Sequence, residues 1–324
     1  MLRLSGITVP LDGSAFAEQA LPLAVELAQA SHASLKLAYV HTPAAAWDPG
    51  VEFSLFDPEL EQQVREREMA YLDRVAHQLD WGAGLHIERV LLNGTIASAL
   101  EDYVARSGTD LVVMTSHGRG GVSRMLLGNV ADQLILKLRV PVLVVRPEEM
   151  KQAHPEEYGH RRVLVPLDGS PLAASILEQA RAFAWMTRSE LLLLMVVQPI
   201  PVLLPPFLWP PEKLLESPEQ RELAARRYLE TLKKELRSEG IMVQSRVRTA
   251  RKVAREILHT ARAEECSMIA MATHGASGLD RVMLGSIADQ VVRHADMPVL
   301  VLRPEIAETE EETANSLVAA AIAR

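Results

Sequence analysis

Three blocks of this sequence occur twice, in the same order and at nearly the same separation. The second copy lies 156 or 157 residues after the first, close to half of the 324-residue chain. A repeat unit of that length is a whole domain, because solenoid repeats are only about 20–45 residues long. The sequence therefore predicts two copies of one domain. The paired blocks are Ile7–Ser14 (ITVPLDGS) with Val163–Ser170 (VLVPLDGS), 116–134 (SHGRGGVSRMLLGNVADQL) with 273–291 (THGASGLDRVMLGSIADQV), and Pro141–Pro147 (PVLVVRP) with Pro298–Pro304 (PVLVLRP).

The repeat divides the chain into four parts. We assign residues 1–148 to the first domain and 161–304 to the second. Residues 149–160 between them are polar and charged, as linkers are. Residues 305–324 begin as an acidic tail, which we interpret as mobile, and end in LVAAAIAR, a candidate for a short docked helix.

Composition excludes several classes of protein. The formal net charge of −8 argues against a nucleic-acid binder, which needs clustered lysine and arginine. No apolar run approaches the roughly 18 residues of a membrane span, and the first residues contain no long apolar signal region. The single cysteine, Cys266, cannot form a disulfide within the chain. We therefore expect a cytoplasmic protein.

Both halves alternate strand-like and helix-like segments. Short and almost entirely apolar strands that alternate with helices are typical of a parallel sheet covered on both faces. The predicted fold class is α/β, with two tandem copies of an open five-stranded parallel sheet flanked by helices. The predicted strands of the first half are Ile7–Leu11, Leu35–Val40, His86–Leu92, Leu111–Met114 and Val142–Val145. Those of the second half are a first strand in 163–167, then Leu191–Val197, Met242–Val247, Met268–Met271 and Val299–Leu302. Helices are predicted over Ala17–Gln29 and from about Pro58, Ala97, Pro171 and Ala254.

One segment of the second half has no counterpart in the first. Residues 199–211 (PIPVLLPPFLWPP) form a proline-rich, apolar loop where the first half has a largely helical segment. This loop either packs against its own domain or a partner subunit, or serves as a lid or protein-docking patch. We favour packing.

The repeated polar and glycine residues fall where an open parallel sheet binds ligands. Such ligands lie at the carboxyl ends of the strands, at the point where the strand order reverses. Asp12 and Asp168 follow the first strands, while Val40 and Val196 end the second strands. A glycine-containing loop follows the fourth strand in each copy. These positions predict one ligand pocket in each domain.

The spacing in the two glycine loops suits a phosphate group. Two glycines with nine residues between them bracket each loop, and a helical segment follows the second glycine. A helix N-terminus offers free N–H groups and a positive dipole end, and glycine lets the backbone approach a phosphate closely. The residue after the second glycine suits a helix N-cap and can donate a hydrogen bond. The loop residues are Gly118, Gly121, Arg124, Gly128 and Asn129 in the first copy, and Gly275, Gly278, Arg281, Gly285 and Ser286 in the second.

Simpler explanations exist for each of these features. The Asp-Gly pair after the first strand is also what a turn and a helix cap need. Gly121 and Gly278 also suit a tight bend, and the loop arginines also suit a solvated surface. The sequence lacks the P-loop motif, a satisfied G-x-G-x-x-G, the nucleophile-elbow motif, H-E-x-x-H and C-x-x-C. No motif therefore predicts catalysis or a metal site.

Over almost its full length, the chain resembles tandem universal stress proteins. That family has the adenine nucleotide α-hydrolase-like fold, and many members bind ATP through G-x-x-G, nine residues and G-[ST]. Here the loops read Thr115–Gly118, nine residues and Gly128-Asn129, then Ala272–Gly275, nine residues and Gly285-Ser286. Thr115 and Ala272 replace the first glycine of the motif in the two copies. In the first copy, Asn129 also replaces the final hydroxyl residue.

The resemblance implies ATP, with Mg²⁺ as its accompanying ion, as the ligand. It implies that Asp12 and Asp168 meet the nucleoside and that the backbone of Val40 and Val196 lies near adenine. The residues carried over to the site are Pro10, Asp12, Val40, Gly118, Gly121, Arg124, Gly128, Asn129 and Val130 in the first domain, and Pro166, Asp168, Val196, Gly275, Gly278, Arg281, Gly285, Ser286 and Ile287 in the second.

Three functions follow as alternatives. The first is a stress-response protein that binds ATP and acts as a regulatory module. The second is a nucleotide-free scaffold of the same fold, and the third, which we favour least, is a slow ATPase, because the sequence offers no nucleophile–base pair. We expect neither a nucleic acid nor a membrane as partner. The strands 142–145 and 299–302 are predicted to pair edge to edge as a pseudo-dimer, and the tandem chain is a candidate homodimer.

Overall fold

A computed structural model describes residues 4–43, 57–79, 84–116, 128–146, 162–199, 217–273 and 284–304. The predicted linker 149–160 and the tail 305–324 lie outside the described residues, as does the proline-rich loop except for its first residue. Across the described residues, no helix combines the length and the apolar character that crossing a membrane requires.

Ten strands form one sheet in the order β3-β2-β1-β4-β5-β10-β9-β6-β7-β8. Each half is parallel throughout and has the same internal order, so the predicted strands are confirmed with shifts of one or two residues at their ends. The strands are β1 (Gly6–Leu11), β2 (Ser34–His41), β3 (Ile87–Asn93), β4 (Leu111–Thr115), β5 (Val142–Val145), β6 (Arg162–Leu167), β7 (Glu190–Val197), β8 (Val243–Thr249), β9 (Met268–Ala272) and β10 (Val299–Leu302).

Helices cover both faces of this sheet and bury its apolar strands, in two separate clusters of core residues. The strand order reverses between β1 and β4 in the first half, and between β6 and β9 in the second. The helices are α1 (Ala15–Glu18), α2 (Leu21–Ser31), α3 (Pro58–Leu79), α4 (Ile96–Arg106), α5 (Asn129–Lys137), α6 (Pro171–Ala174), α7 (Leu177–Thr187), α8 (Pro218–Ser238), α9 (Val253–Ala263) and α10 (Ser286–His294).

The two halves meet where β5 and β10 pair antiparallel. Leu143 faces Leu300 at the centre of this pairing, and both side chains are almost completely buried. The predicted edge-to-edge pairing is therefore present, and it turns two five-stranded sheets into one continuous sheet. Because each strand covers the other's open edge, neither domain exposes an apolar edge at this position.

Two arginines reinforce this junction in a reciprocal way. Arg146 follows β5 and donates to the backbone carbonyls of Val292 and Arg293 at the C-terminal end of α10. Arg303 follows β10 and donates to the carbonyl of Leu136 in the last turn of α5. The last carbonyls of a helix have no partner inside the helix and carry its negative dipole end. Each domain thus stabilises a helix end of the other.

The first helical segment is divided in both copies, although its apolar spacing over Ala17–Gln29 predicts one helix. In the first copy α1 ends at Glu18 and α2 begins at Leu21. Pro22 has no N–H and cannot complete the hydrogen bond to the carbonyl four residues earlier. The second copy has the same division between α6 and α7 without a proline there. Its start at Pro171, with Ser170 as N-cap, is as predicted.

The start of β1 tolerates no side chain, which gives a first prediction. A Cβ atom on Gly6 would lie 2.4 Å from the backbone carbonyl oxygen of Gly108. We expect Gly6→Ala to lower the free energy of unfolding by about 1–3 kcal/mol, because backbone has to move to admit the methyl group. Urea denaturation of the variant measures this cost. An unchanged midpoint would show that the two chain segments are not in close contact.

Candidate functional site

The turn after the first strand has the same geometry in both domains. In the first, the Asp12 carboxylate accepts hydrogen bonds from the backbone N–H (2.9 Å) and the hydroxyl (2.6 Å) of Ser14. In the second, Asp168 accepts the same two bonds from Ser170, at 2.9 and 2.6 Å. The intervening glycines have φ of 82° and 87°, a region that favours glycine. The sequence Asp-Gly-Ser therefore forms one rigid turn twice.

Each of these turns also begins a helix. Ser14 Oγ accepts the backbone N–H of Ala17 at the start of α1, and Ser170 Oγ accepts that of Ala173 at the start of α6. The simpler explanation of the Asp-Gly pair, a turn followed by a helix cap, is thus correct. It uses one oxygen of each carboxylate. It also fixes the orientation of both aspartates at the carboxyl ends of β1 and β6, beside the reversal of strand order.

Backbone hydrogen bonds close the base of each glycine loop. The N–H of Gly128 donates to the carbonyl of Ser116 at 2.8 Å, and the N–H of Gly285 donates to that of Thr273 at 3.1 Å. Ser116 in turn donates its own N–H to Val145 O at 3.1 Å, so the base is joined to β5. The two ends of each glycine loop therefore lie together, next to the aspartate turn of the same domain.

The helix after each loop begins with exposed backbone donors. Gly128 and Gly285 are the N-caps, and neither α5 nor α10 has a side-chain cap. This corrects the expectation that Asn129 and Ser286 are the caps: both are the first helical residue, because the extended backbone lies at the glycine before them. Within the described part of the chain, the first N–H groups of both helices have no partner, an arrangement that suits an anion.

The remaining predicted residues divide into two groups. Val40 and Val196 are partly buried near the ends of β2 and β7, and Pro10 and Pro166 lie near the ends of β1 and β6. All four share the sheet edge with the aspartates, and Val130 and Ile287 lie in the first turns of α5 and α10. The loop residues Gly118, Gly121, Arg124, Gly275, Gly278 and Arg281 lie outside the described residues.

Comparison with known proteins identifies the fold family. The family model described as "Universal stress protein family" matches residues 5–146 and again 159–303. The chain belongs to the universal stress protein family.

Several relatives match over both domains. A universal stress protein of Mycobacterium tuberculosis is 28% identical over 315 residues, which cover 92% of this chain and 95% of that protein. A universal stress protein of Mycolicibacterium smegmatis is 28% identical over 306 residues, covering 92% and 97%. The crystal structure of a universal stress protein from Archaeoglobus fulgidus superimposes with a TM-score of 0.69 at 18% identity, and covers 93% of this chain and 99% of that one. That structure supports the fold alone.

The two universal stress domains differ at the end of the second strand. His41 ends β2 with its side chain only 2% exposed, and both of its ring nitrogens contact carboxylates of α3. Nε2 lies 2.6 Å from Glu61 and Nδ1 lies 2.7 Å from Glu68. A carboxylate oxygen accepts hydrogen bonds, so the ring lies between two acceptor groups. Arg65 adds a cation, 3.7 Å from Glu61.

The second domain replaces this charged cluster with apolar side chains. Val197 takes the position of His41, and the buried Ala225 of α8 takes that of Glu68. The neighbouring strand–helix junction differs too. In the first domain Gly94, at φ 121°, donates its N–H to His41 O at 3.2 Å, whereas in the second Ala250 donates to Val197 O at 3.1 Å. The two pockets therefore differ on this side, where the first domain has charged side chains and the second has apolar ones.

One arginine joins the first turns of the two helices that follow the glycine loops. Arg293 Nε lies 2.7 Å from Asp289 of α10, and its Nη2 lies 3.4 Å from Asp132 of α5 in the other domain. Burial raises the pKa of Asp132, and the Arg293 charge partly offsets this. Burial alone would lower the pKa of Arg293. The hydrogen bonds and negative charges of Asp289 and Asp132 outweigh burial, so the pKa of Arg293 is raised.

The single cysteine lies away from both pockets and gives a second prediction. Burial raises the pKa of the Cys266 thiol to about 12. Because the thiolate is the reactive form, we expect no reaction of the native protein with a disulfide reagent at pH 8, and one thiol per chain after unfolding in guanidinium. Rapid labelling of the native protein would contradict the burial of this side chain. Among the described residues, no cluster of histidine, cysteine and acidic side chains suits a metal ion.

Proposed function

We propose that this universal stress protein binds ATP at the carboxyl edge of each half of the sheet and acts as a nucleotide-dependent regulatory module. The observation that carries the proposal is the repeated geometry of that edge. An oriented aspartate, a loop closed by one backbone hydrogen bond and an uncapped helix N-terminus lie together in both domains. Of these, the uncapped helix N-terminus is the part suited to a phosphate group, because its N–H groups point outward and its dipole favours an anion.

The described residues fit the parts of a nucleotide. The free N–H groups in the first turns of α5 and α10 provide donors for phosphate oxygens, and Asp12 and Asp168 provide acceptors for ribose hydroxyl groups. Val40 and Val196 provide backbone groups and an apolar surface at the ends of β2 and β7 for the base. Mg²⁺, when it accompanies ATP, would bind mainly to phosphate and water.

We propose binding rather than catalysis as the activity. Asp12 and Asp168 each hold a serine hydroxyl at 2.6 Å, but that hydroxyl is used as the helix N-cap and accepts a backbone N–H. It therefore serves the turn and is not presented as a nucleophile. The proposal includes the cytoplasmic location and the homodimer that the sequence predicts.

Thermal unfolding tests the proposal. At 100 times its dissociation constant, a ligand that binds only the native state adds about 2.7 kcal/mol of stability. We expect ATP with Mg²⁺ to raise the melting temperature of protein purified free of nucleotide, and inorganic triphosphate to raise it less because it lacks the base and ribose. No shift at millimolar ATP would favour the nucleotide-free scaffold. Phosphate release above that of a loop variant would favour an ATPase.

A further inference from the structure

The second domain carries a cationic helix face. Helix α9 presents Arg255, His259 and Arg262 at the i, i+4, i+7 spacing of one face, and Arg251 and Lys252 directly precede its first turn. All five residues are exposed, and together they line a surface groove of about 620 Å³. These five residues are called the cationic face below.

The fold does not require this face. The corresponding helix of the first domain, α4, has the same buried side, with Ala97 and Leu100 in place of Ala254 and Ile257. Its exposed side is neutral or acidic at every position of the cationic face. The residues there are Gly94, Thr95, Ser98, Asp102 and Ala105.

Three of the cations oppose the helix dipole. Lys252 is the N-cap of α9, Arg251 precedes it and Arg255 lies in the first turn. The N-terminal end of a helix is its positive end, so cations there are unfavourable unless an anion compensates them. The cluster therefore raises the positive potential at one spot of a chain whose formal net charge is −8.

The first turn of α9 contains one acidic residue, Glu256, which lines the same groove, but no ion pair joins it to the cationic face within the described residues. Arg262 pairs with Asp296 at 2.6 Å. Within the described ranges, the side chains of the other four members of the cationic face have no carboxylate partner. An external or tethered acidic group would supply several ion pairs at once.

We propose that the cationic face is a docking site for an acidic peptide segment, and that its occupant is residues 305–312 of the same chain. This segment contains five glutamates in eight residues (EIAETEEE) and follows the last described residue, Pro304. The segment thus has five acidic side chains and the face four arginine and lysine side chains, so the two are complementary in sign.

The segment is long enough to reach. β10 and β8 are parallel within the second half, so both end at the same edge of the sheet, and three strands separate them. Four strand spacings of about 4.8 Å give a span of about 19 Å. Eight extended residues span up to about 28 Å. A short tether also gives an effective concentration in the millimolar range, which strengthens individually weak ion pairs.

Carbodiimide cross-linking of the full chain tests this proposal, because it forms an amide bond only between an amine and a carboxylate that touch. We expect a cross-link within one chain between Lys252 and a glutamate of 305–312, identified by mass spectrometry at low salt. Its yield should fall severalfold in 1 M NaCl and in the double variant Arg255→Ser, His259→Asp, which introduces the residues of the first domain. Arg181→Ser, which removes an arginine of α7, is the matched control and should leave the yield unchanged.

A second readout uses the chain with all five glutamates of 305–312 changed to glutamine. Acetylation of Lys252, relative to the exposed Lys234, should accelerate roughly two- to fivefold, the equivalent of losing one or two surface ion pairs. Equal acetylation rates, or a Lys252 cross-link found only between two chains, would overturn the proposal. The proposal would also be overturned if inorganic phosphate or ATP protected Lys252 of the glutamine variant from acetylation as fully as it is protected in the wild-type chain. The face would then bind free phosphate instead of the tail.

Discussion

Replacing His41 with valine should lower the free energy of unfolding of this protein by about 3 kcal/mol. The His41 ring is 2% exposed and lies between Glu61 and Glu68, whose side chains are 20% and 15% exposed. Removing the ring leaves two partly buried carboxylates without this partner, and among the described residues the remaining ion pair is that of Glu61 with Arg65. The cost of a buried charge without its partner exceeds the gain from the apolar valine.

A double variant separates this charge effect from packing. His41→Val with Glu68→Ala reproduces the Val197 and Ala225 pair of the second domain, and it should recover part of the stability lost by His41→Val alone. Glu66→Ala, on the exposed side of α3, is the control for helix propensity. A His41→Val variant within about 0.5 kcal/mol of the parent in urea denaturation would contradict the cluster, since that is the range of ordinary surface changes.

Valine at Gly118 or at Gly275 should weaken ATP binding roughly ten- to a hundredfold, each in its own domain. The sequence motif places these glycines where the backbone approaches phosphate, and a branched side chain there would cost about 1–3 kcal/mol of contact energy. Because the two loops close independently at Gly128 and Gly285, each variant should leave the other pocket functional.

Isothermal titration calorimetry of the two single variants measures this effect and assigns the sites. Each variant should lose one binding event, and the double variant should lose both. Ala276→Val changes the residue beside Gly275 and is the matched control for added bulk in the loop. If both single variants bind ATP as the parent does, the glycine loops do not carry the phosphates.

The repeat made much of the fold predictable. Repeated apolar runs located the strands to within one or two residues, and PVLVVRP with PVLVLRP predicted the pairing of β5 and β10 that the structure contains. The chirality and order of a parallel α/β sheet then fix which strand ends lie together. That is why Asp12, Val40 and the glycine loop after the fourth strand could be placed on one edge from sequence alone.

Local signals were weaker at helix ends. A continuous apolar pattern over Ala17–Gln29 conceals the division between α1 and α2, because the same face stays buried on both sides of it. Asn129 and Ser286 have good N-cap side chains, but the N-cap of each helix is the glycine one residue earlier. Side-chain type alone does not say which residue has the extended backbone of a cap.

Long-range polar contacts could not be predicted. Glu61 and Glu68 lie 20 and 27 residues from His41, and Asp132 lies 161 residues from Arg293. None of these pairs belongs to a repeated motif, since the other copy has an apolar or neutral residue at one of the two positions. They nevertheless decide how the two pockets differ, and how the helices that follow the loops are joined across the domains.

A crystal structure of the protein purified gently, or soaked with millimolar ATP and Mg²⁺, tests the central claim most directly. Our account predicts phosphate density against the first turn of α5, α10 or both, ribose at Asp12 or Asp168, and adenine at the ends of β2 or β7. Both pockets empty under these conditions, or a nucleotide bound away from the carboxyl edge of the sheet, would contradict it.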